Sequence, residues 1–259
     1  MKSQHLVVTR YTLKGWAYEE FSPEWLEERM RVFRTYCVPS MAQQDVDFTW
    51  LILCDETTDS DYVESIRAIS KSVPALKVVT TSRDRGIWSR HAVASVLDDD
   101  TDLLITSRLD NDDALHERAL RTMHEYIEPF SRSSHDAFLV RFPRGYRYEE
   151  SSGRMFSSYW MDSPFITLFE KLDEDRKNLR NVYFAQHPRI HLEVATHLEE
   201  SIPAWLQVIH GRAQSTNPEA LAGVALTGGN RRSVVSGETD IEVDPAGVGP
   251  AFGLDLWER

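Results

Sequence analysis

The sequence contains few of the features that mark a disulfide-bonded, secreted or membrane-spanning chain. Its 259 residues include two cysteines, Cys37 and Cys54, both inside apolar segments. This placement predicts buried thiols and argues against a disulfide framework or a zinc site. No segment approaches the roughly 20 apolar residues of a membrane span, and the short N-terminal apolar run has a strand pattern rather than that of a signal peptide. We therefore expect a cytoplasmic protein without a transmembrane segment.

Positive charge is also scarce. Lys and Arg total 29 against 41 Asp and Glu, which gives a formal net charge of −12. A surface of that sign disfavours the phosphate backbone of nucleic acids, so we expect no nucleic-acid partner. A local basic pocket for a small anionic ligand stays compatible with this charge. The length suffices for one large α/β domain or two small ones, and no internal repeat is present.

Strand and helix signals alternate along the first half of the chain. Strand patterns lie at His5–Leu13, Phe48–Cys54, Leu76–Thr80 and from Asp102 onward, and helix patterns lie at Trp25–Tyr36, from Asp59 to about Ser72, at Ile87–Leu97 and at His116–Phe130. This alternation predicts an α/β fold with a mostly parallel central sheet and helices on both faces. Pro39 is expected to end the helix that begins near Trp25.

The second half has a less regular pattern. Strands at Ala137–Tyr148 and Arg154–Tyr159, around the turn at Ser151-Ser152-Gly153, predict a small hairpin subsheet. A helix near Glu170, another over Val182–His187 and a short strand over Trp205–His210 are expected next. We place the domain at residues 1–212 and interpret residues 213–259 as a loop-rich tail. Within that tail Val243–Val248 has no helical period, and Leu254–Trp257 is expected to dock on the body.

The stretch from Asp102 to Leu115 contains the strongest candidates for functional residues. The apolar run beginning at Leu103 predicts a buried strand, and Asp110, Asp112 and Asp113 follow it. Alternation along an extended chain points Asp110 and Asp112 to the same side. Two carboxylates at a strand end can bind Mg²⁺ or Mn²⁺. The alternative is a solvated turn, since Asp and Asn favour turns.

The same edge of the predicted sheet gathers further polar residues. Ligands of open α/β sheets bind at the carboxyl ends of the strands. Thr9 and Arg10, Asp55, and the basic loop at Arg83–Arg85 each follow or end a predicted strand. An acidic metal site beside arginines suits a diphosphate.

Several segments of the sequence resemble a known family. Arg85-Gly86, Ser89-Arg90-His91 and Leu109–Asp113 resemble a pattern of the GT-A (Rossmann-like) glycosyltransferases, although His91 stands where the common pattern has Asn. Longer segments resemble the rhamnosyltransferases assigned to bacterial polysaccharide clusters, namely Val8–Tyr11, Phe48–Ile52, Ser107–Leu115 and Trp205–Gly211. The resemblance covers roughly the first four-fifths of the chain.

The resemblance implies a metal-dependent transferase. Such an enzyme moves a sugar, rhamnose by the family name, from a nucleotide-diphosphate sugar donor to a glycan or other hydroxyl acceptor, with inversion. It implies Mn²⁺ or Mg²⁺ bound by Asp110, Asp112 and His210. The residues it implies for binding the nucleotide-sugar are Thr9, Arg10, Asp55, Arg85, Arg90, Arg108 and Asp110.

The catalytic base is less defined by the sequence. Inversion needs a carboxylate that takes the proton of the acceptor hydroxyl. Relatives place it between the metal strand and the late histidine, where Asp162, Glu193, Glu199 and Glu200 stand. We rank Asp162 and Glu200 first.

Two other functions are compatible with the sequence. One is a non-catalytic nucleotide-binding or scaffold protein on the same fold. The other is a nucleotidyltransferase, which would normally carry a glycine-rich phosphate loop near the first strand; none lies between Thr9 and Gly15. A further hypothesis makes the tail a lid that excludes water from the donor, with Arg212, Arg231 and Arg232 adding positive charge.

Overall fold

The protein is described here by a computed structural model over residues 1–13, 22–82, 90–174, 179–185, 187, 189–211 and 241–255, with the backbone alone at residue 90. The strands are β1 (Ser3–Arg10), β2 (Thr49–Asp55), β3 (Leu76–Thr81), β4 (Leu103–Arg108), β5 (Ala114–Leu115), β6 (Ala137–Arg141), β7 (Arg144–Glu149), β8 (Arg154–Tyr159), β9 (Ile166–Lys171), β10 (Ala195–Leu198), β11 (Trp205–Ile209) and β12 (Ile241–Val243).

The helices are short. They are α1 (Pro23–Val32), α2 (Val38–Ala42), α3 (Ser60–Arg67), α4 (Arg90–Ala94), α5 (Ala119–His124), α6 (Ile127–Arg132) and α7 (Pro245–Val248). A π-helical segment, Phe33–Cys37, joins α1 to α2. No helix in the described part of the chain is long and apolar enough to cross a membrane.

The larger sheet has seven strands in the order β10-β6-β9-β4-β1-β2-β3. β1 pairs in parallel with β2 and β4, β2 pairs in parallel with β3, and β10 pairs in parallel with β6. β9 alone runs antiparallel, between β4 and β6. The predicted α/β fold with a mostly parallel central sheet is therefore confirmed.

Alternate residues of the central strands fill two separate cores. Val7 and Ile105 pack on one face of the large sheet, in a core that includes Phe33. Leu6 and Leu104 pack on the other face, in a core that includes residues of the α4 segment. All four strand residues are fully buried. Burial on both faces explains why these strands are continuous apolar runs without alternation.

The smaller sheet has five strands in the order β12-β8-β7-β11-β5. Its centre is the predicted β7–β8 hairpin, whose turn contains Gly153 at a φ of 67°. β11 adds in parallel to β7, and β5, which follows the acidic turn after β4, adds antiparallel to β11. The small sheet is thus larger than a hairpin, and it brings the end of β11 beside the end of β4.

Three predicted boundaries are wrong for reasons that involve proline. The helix does not end at Pro39, because the π-helical segment resets the hydrogen-bond register and Pro39 falls in the first turn of α2, where its missing N–H is tolerated. The single helix predicted over His116–Phe130 is divided into α5 and α6, with Pro129 in the first turn of α6. The strand predicted over Ala137–Tyr148 breaks at Pro143 into β6 and β7, which belong to different sheets.

Two predicted helices are absent from the described residues. The segment around Glu170 forms the strand β9, buried between two neighbouring strands, and its short apolar run fits a helix as well as a strand. Residues 182–185 form turns rather than the predicted helix. There Tyr183 is buried and its hydroxyl donates to the Val8 carbonyl oxygen at 3.3 Å.

The end of the chain is more ordered than the sequence predicts. β12 pairs with β8, and Asp244 caps α7 through its carboxylate, which accepts from the Ala246 amide at 3.1 Å. Asp244 followed by Pro245 is a helix-start signal, which was missed in the sequence because Val243–Val248 has no helical period. Of the segment Leu254–Trp257 that is predicted to dock, Leu254 is buried, and residues 256 and 257 lie outside the described residues. Residues 212–240 lie outside the described residues, so the domain boundary and the lid stay predictions.

Candidate active site

Parallel pairing brings the carboxyl ends of three strands to one edge of the large sheet. Arg10 ends β1, Asp55 ends β2 and Arg108 ends β4. Asp110 follows β4 by two residues, and Arg10 lies 3.6 Å from it, measured between Arg10 Nη2 and Asp110 Oδ1. The structure therefore joins Arg10, Arg108 and Asp110 at the sheet edge where the sequence placed Arg10 and the acidic turn.

Asp110 lies in a positively charged environment. Arg108 Nη2 donates to Asp110 Oδ2 at 2.8 Å. Both Arg108 and Arg10 lie over the ring of Tyr183, at 5.4 and 4.9 Å from the ring centroid. Burial opposes ionisation of the Asp110 carboxyl, but the charges of Arg108 and Arg10 outweigh it and hold its pKa well below its usual range.

Asp112 has a different pair of partners. Arg29 Nη1 donates to Asp112 Oδ2 at 2.5 Å and to Asn111 Oδ1 at 3.0 Å, while His210 Nε2 lies 3.2 Å from the same Asp112 oxygen. Arg29 and His210 are both buried. Burial raises the pKa of Asp112, but Arg29 and the His210 hydrogen bond outweigh it and lower the pKa below its ordinary value.

Asp113 bonds to the backbone of β11 rather than to an arginine. Its Oδ1 accepts from the Val208 backbone amide of β11 at 3.1 Å. Burial raises the pKa of Asp113 well above its ordinary value, and the neighbouring charges of Asp112 and Asp110 raise it further. The hydrogen bond ties the turn after β4 to β11, two residues before His210, and so explains how a histidine of the small sheet reaches an acid of the large sheet.

Two of the three predicted metal ligands are adjacent. Asp112 and His210 offer an oxygen and an imidazole nitrogen, a donor pair that suits Mn²⁺. His210 Nδ1 is buried and has no hydrogen-bond partner among the described residues. Asp110 is directed to Arg108 instead, and the described residues contain no group of three or more His, Cys, Asp and Glu that could hold a metal ion. Asp112 and His210 thus form a candidate donor pair for a cation, in which Asp112 Oδ2 is also bonded to Arg29, and Asp110 lies outside that pair.

Two predicted nucleotide contacts are turned toward the protein. Thr9 is fully buried, and its hydroxyl accepts from the Trp50 indole at 2.9 Å. Asp55 is buried, and its Oδ1 accepts from the amide and the hydroxyl of Thr57 at 3.0 and 2.6 Å. The structure therefore places the Thr9 side chain in the core, and it leaves Asp55 at the expected edge, two strands from Asp110. Arg85 and the side chain of Arg90 lie outside the described residues.

The two candidate bases lie on the small-sheet side. Asp162 follows β8, and its Oδ1 accepts from Arg141 Nη2 at 2.7 Å. Its charge acts on His187, a residue that is itself bonded to Arg108. Glu200 accepts from the Tyr159 hydroxyl at 2.7 Å, and none of its described hydrogen bonds reaches the acidic cluster. Asp162 is thus connected to Arg108 through His187, whereas the described hydrogen bonds of Glu200 lead to Tyr159 and Arg144.

Three site residues escaped the sequence reasoning, namely Arg29, Tyr183 and His187. In the sequence Arg29 lies among charged helix residues and has the pattern of a solvated face. Tyr183 and His187 lie in a segment predicted as an ordinary helix. Each reaches the site only through contacts between residues far apart in the chain, so no local pattern could have identified it.

The fold of the chain agrees with the class that its sequence resembles. A mostly parallel sheet with acids and arginines at the carboxyl ends of β1 and β4 is the arrangement expected for the GT-A class. Residues 11–221, about four-fifths of the chain, match the family model described as "Putative rhamnosyl transferase". The chain belongs to this family.

Two solved structures align with most of this chain at low sequence identity. The S. aureus TarS fragment 1–349 in complex with UDP-GlcNAc has a TM-score of 0.46 at 12% identity, over 80% of this chain and 59% of its own. A structure from Desulfovibrio desulfuricans G20 described as a putative nucleotide-diphospho-sugar transferase has a TM-score of 0.40 at 12% identity, over 90% of this chain and 92% of its own. The chain spans about three-fifths of the length of the TarS fragment.

One curated protein matches a shorter part of the sequence. The NAD(P)H-dependent pentose reductase of Pyricularia oryzae (strain 70-15 / ATCC MYA-4617 / FGSC 8958) is 26% identical over 113 residues, which is 44% of this chain and 34% of that protein. The chain thus spans about a third of the length of this relative. Between Thr9 and Gly15 the sequence has a single glycine, whereas a dinucleotide site requires a glycine-rich turn after the first strand.

Proposed function

We propose that this chain is a metal-dependent glycosyltransferase that moves a sugar from a nucleotide-diphosphate sugar to a hydroxyl acceptor. The observation that carries the proposal is the joining of two carboxylates, Asp110 and Asp112, with arginines and His210 at the carboxyl ends of β1 and β4. The description of the family model supports rhamnose as the transferred sugar, and the sequence resemblance implies a glycan or other hydroxyl compound as the acceptor.

The arginines at the sheet edge supply charge for the donor. Arg10 and Arg108 are held in place by Asp110 and by the ring of Tyr183, which fixes their guanidinium groups. Fixed cationic donors stabilise the negative charge that develops on a departing diphosphate. Mn²⁺ or Mg²⁺ at Asp112 and His210 would add Lewis acidity at that leaving group when bound. The two acids thereby take separate roles, with Asp110 holding arginines and Asp112 holding the cation.

Asp162 is the better candidate for the base. A carboxylate that takes the acceptor proton while the diphosphate leaves on the opposite side gives inversion. Asp162 is partly exposed, only its Oδ1 accepts from Arg141, and its charge acts on His187. Glu200 stays a second candidate, held by the Tyr159 hydroxyl.

Donor turnover tests the proposal. The chain is incubated with Mn²⁺ and dTDP-rhamnose, UDP-glucose or UDP-N-acetylglucosamine, and the release of the nucleoside diphosphate is measured. Asp112→Asn should lose the metal-dependent release and the rise in melting temperature that Mn²⁺ with nucleoside diphosphate produces. Asp136→Asn is the matched control, because Asp136 is exposed and precedes β6 at the opposite edge of the sheet.

The outcomes separate the alternatives. Nucleotide binding without turnover of any donor would favour the alternative of a non-catalytic nucleotide-binding protein. Turnover that is unchanged in Asp112→Asn or without divalent cation would contradict the metal assignment. Loss of turnover in Asp162→Asn with normal donor binding is the result expected for a base.

A further inference from the structure

His187 has a hydrogen bond that fixes where its proton lies. Its Nδ1 is 3.0 Å from Arg108 Nη1. A guanidinium has donors and no acceptor, so Arg108 donates and Nδ1 must be the unprotonated nitrogen. In a neutral imidazole the proton is then on Nε2. The contact therefore makes His187 a hydrogen-bond donor through Nε2.

The surroundings keep the ring neutral. Burial lowers the pKa of His187 to about 4, and the charge of Arg108 acts in the same direction. The ring also packs edge to face with Trp160, with 6.5 Å between the ring centroids. At neutral pH His187 therefore stays in one tautomer and one orientation, as a substrate-binding donor must.

The position of His187 lies between the two halves of the proposed site. On its Nδ1 side, Arg108 connects it to Asp110, the donor side. Asp162, the candidate base, is close enough for its charge to act on the ring. Nε2 points away from Arg108, and none of the described residues accepts a hydrogen bond from it. Resting on the proposed function, His187 thus interacts both with the donor side and with the candidate base.

We propose that His187 contacts substrate, donating its Nε2 proton to a carbohydrate hydroxyl at the junction of donor sugar and acceptor. Arg108 thereby has a second role, because it holds His187 in the donating tautomer in addition to forming its ion pair with Asp110. The diphosphate is not the partner, because the Nε2 side of the ring is opposite to the arginine that faces the phosphate-binding edge. The ligand is a hydroxyl of the transferred sugar or of the acceptor, two sources with the same chemistry.

Two substitutions test the two ring nitrogens of His187 separately. In His187→Asn the amide oxygen can take the place of Nδ1 and accept from Arg108, while the Nε2 donor is lost. In His187→Gln the amide nitrogen can take the place of Nε2 and donate, while the Arg108 hydrogen bond is lost. We expect kcat/KM to fall by about tenfold in the Asn variant, the worth of one hydrogen bond, and to fall much less in the Gln variant.

Binding measurements identify the source of the hydroxyl. Calorimetry with Mn²⁺ compares dTDP and UDP with dTDP-rhamnose and UDP-N-acetylglucosamine. Both variants should bind the free diphosphates like the wild type. Weaker binding of the sugar nucleotide by His187→Asn assigns the donor sugar, and an unchanged donor affinity with a raised KM for the acceptor assigns the acceptor.

Other outcomes would overturn the assignment. Equal turnover in His187→Asn and wild type, or weakened binding of the free diphosphates in both variants, contradicts a carbohydrate contact while leaving the proposed function intact. A wild-type chain that binds no sugar nucleotide refutes both. Melting temperatures control for folding, and if the Asn variant melts early, His187→Leu replaces it, with rescue by Gln as the deciding comparison.

Discussion

The ion pair of Arg29 and Asp112 allows the sharpest test of the site's energetics. Arg29 is 6% exposed and Asp112 is 17% exposed, and their closest atoms lie 2.5 Å apart. Removing one partner of a buried pair costs about 3–5 kcal/mol, because the other charge is left without compensation. His210 keeps its contact with Asp112 at 3.2 Å, so we expect Arg29→Met to lower the free energy of unfolding by about 3 kcal/mol, at the low end of that range.

The same helix offers a matched control. Arg31 is 41% exposed and pairs with Glu28 and Glu150 at 2.7 Å. Exposed pairs contribute about 0–1 kcal/mol, so Arg31→Met should cost far less than the same substitution at Arg29. Urea unfolding followed by circular dichroism measures both. Similar losses in the two variants would refute the reasoning.

A double variant tests whether charge rather than packing sets the cost. Arg29→Met with Asp112→Asn leaves no buried charge in the pair, so it should be more stable than Arg29→Met alone. The pKa of Asp112 is lowered in the folded chain, so its pairing stabilises above the ordinary aspartate value of about 3.9 and is lost as the pH falls through the folded pKa. The gap between wild type and Arg29→Met should therefore narrow in acid. A gap that is constant with pH would implicate packing.

Three further predictions concern the scaffold. Burial, and then the neighbouring His124, lower the pKa of His5 well below 6.5, so protonation of His5 favours the unfolded chain. The free energy of unfolding should therefore fall below pH 6.5, by up to about 1.4 kcal/mol per pH unit for this residue. Urea unfolding at pH 7.5, 6.5 and 5.5 should show a smaller slope in His5→Gln. A Cβ at Gly145 would overlap the buried Trp205 indole, so Gly145→Ala should lower the free energy of unfolding by about 1–3 kcal/mol or more and lower the melting temperature. Gly247→Ala is the control, because a Cβ at Gly247 would meet open space. Gly253 has a φ of 70°, and a Cβ added there would lie 2.9 Å from the Pro39 carbonyl oxygen. Gly253→Ala should therefore loosen residues 241–255 and speed their limited proteolysis; an unchanged cleavage rate would contradict this.

The parallel core was predictable from local sequence because its signals are local. The apolar runs at Leu6–Val8, Leu51–Leu53 and Leu103–Ile105 are buried on both faces of the sheet, and that burial requires the continuous hydrophobicity the sequence displays. Once such strands alternate with helices, right-handed crossovers place their carboxyl ends at one edge. The neighbourhood of Arg10, Arg108 and Asp110 follows from this rule.

The antiparallel strand β9 and the small sheet were not predictable in the same way. Ile166–Lys171 is an apolar run too short to distinguish strand from helix by period. Its position between β4 and β6 depends on which partners are free, a property of the whole sheet. The same holds for β12, three residues long, which the edge of β8 stabilises.

The sequence by itself determined the α/β class and the acidic turn after β4, because each depends on a contiguous pattern, whereas Asp112 and His210 became candidate ligands of one cation through the resemblance to a glycosyltransferase family. The tertiary structure alone decided which charges meet. Arg29 reaches Asp112 across 83 residues of chain, and Arg108 reaches His187 across 79. An arginine in a solvated helix and one in a buried ion pair have the same local sequence, and only packing removes the water that makes the two physically different.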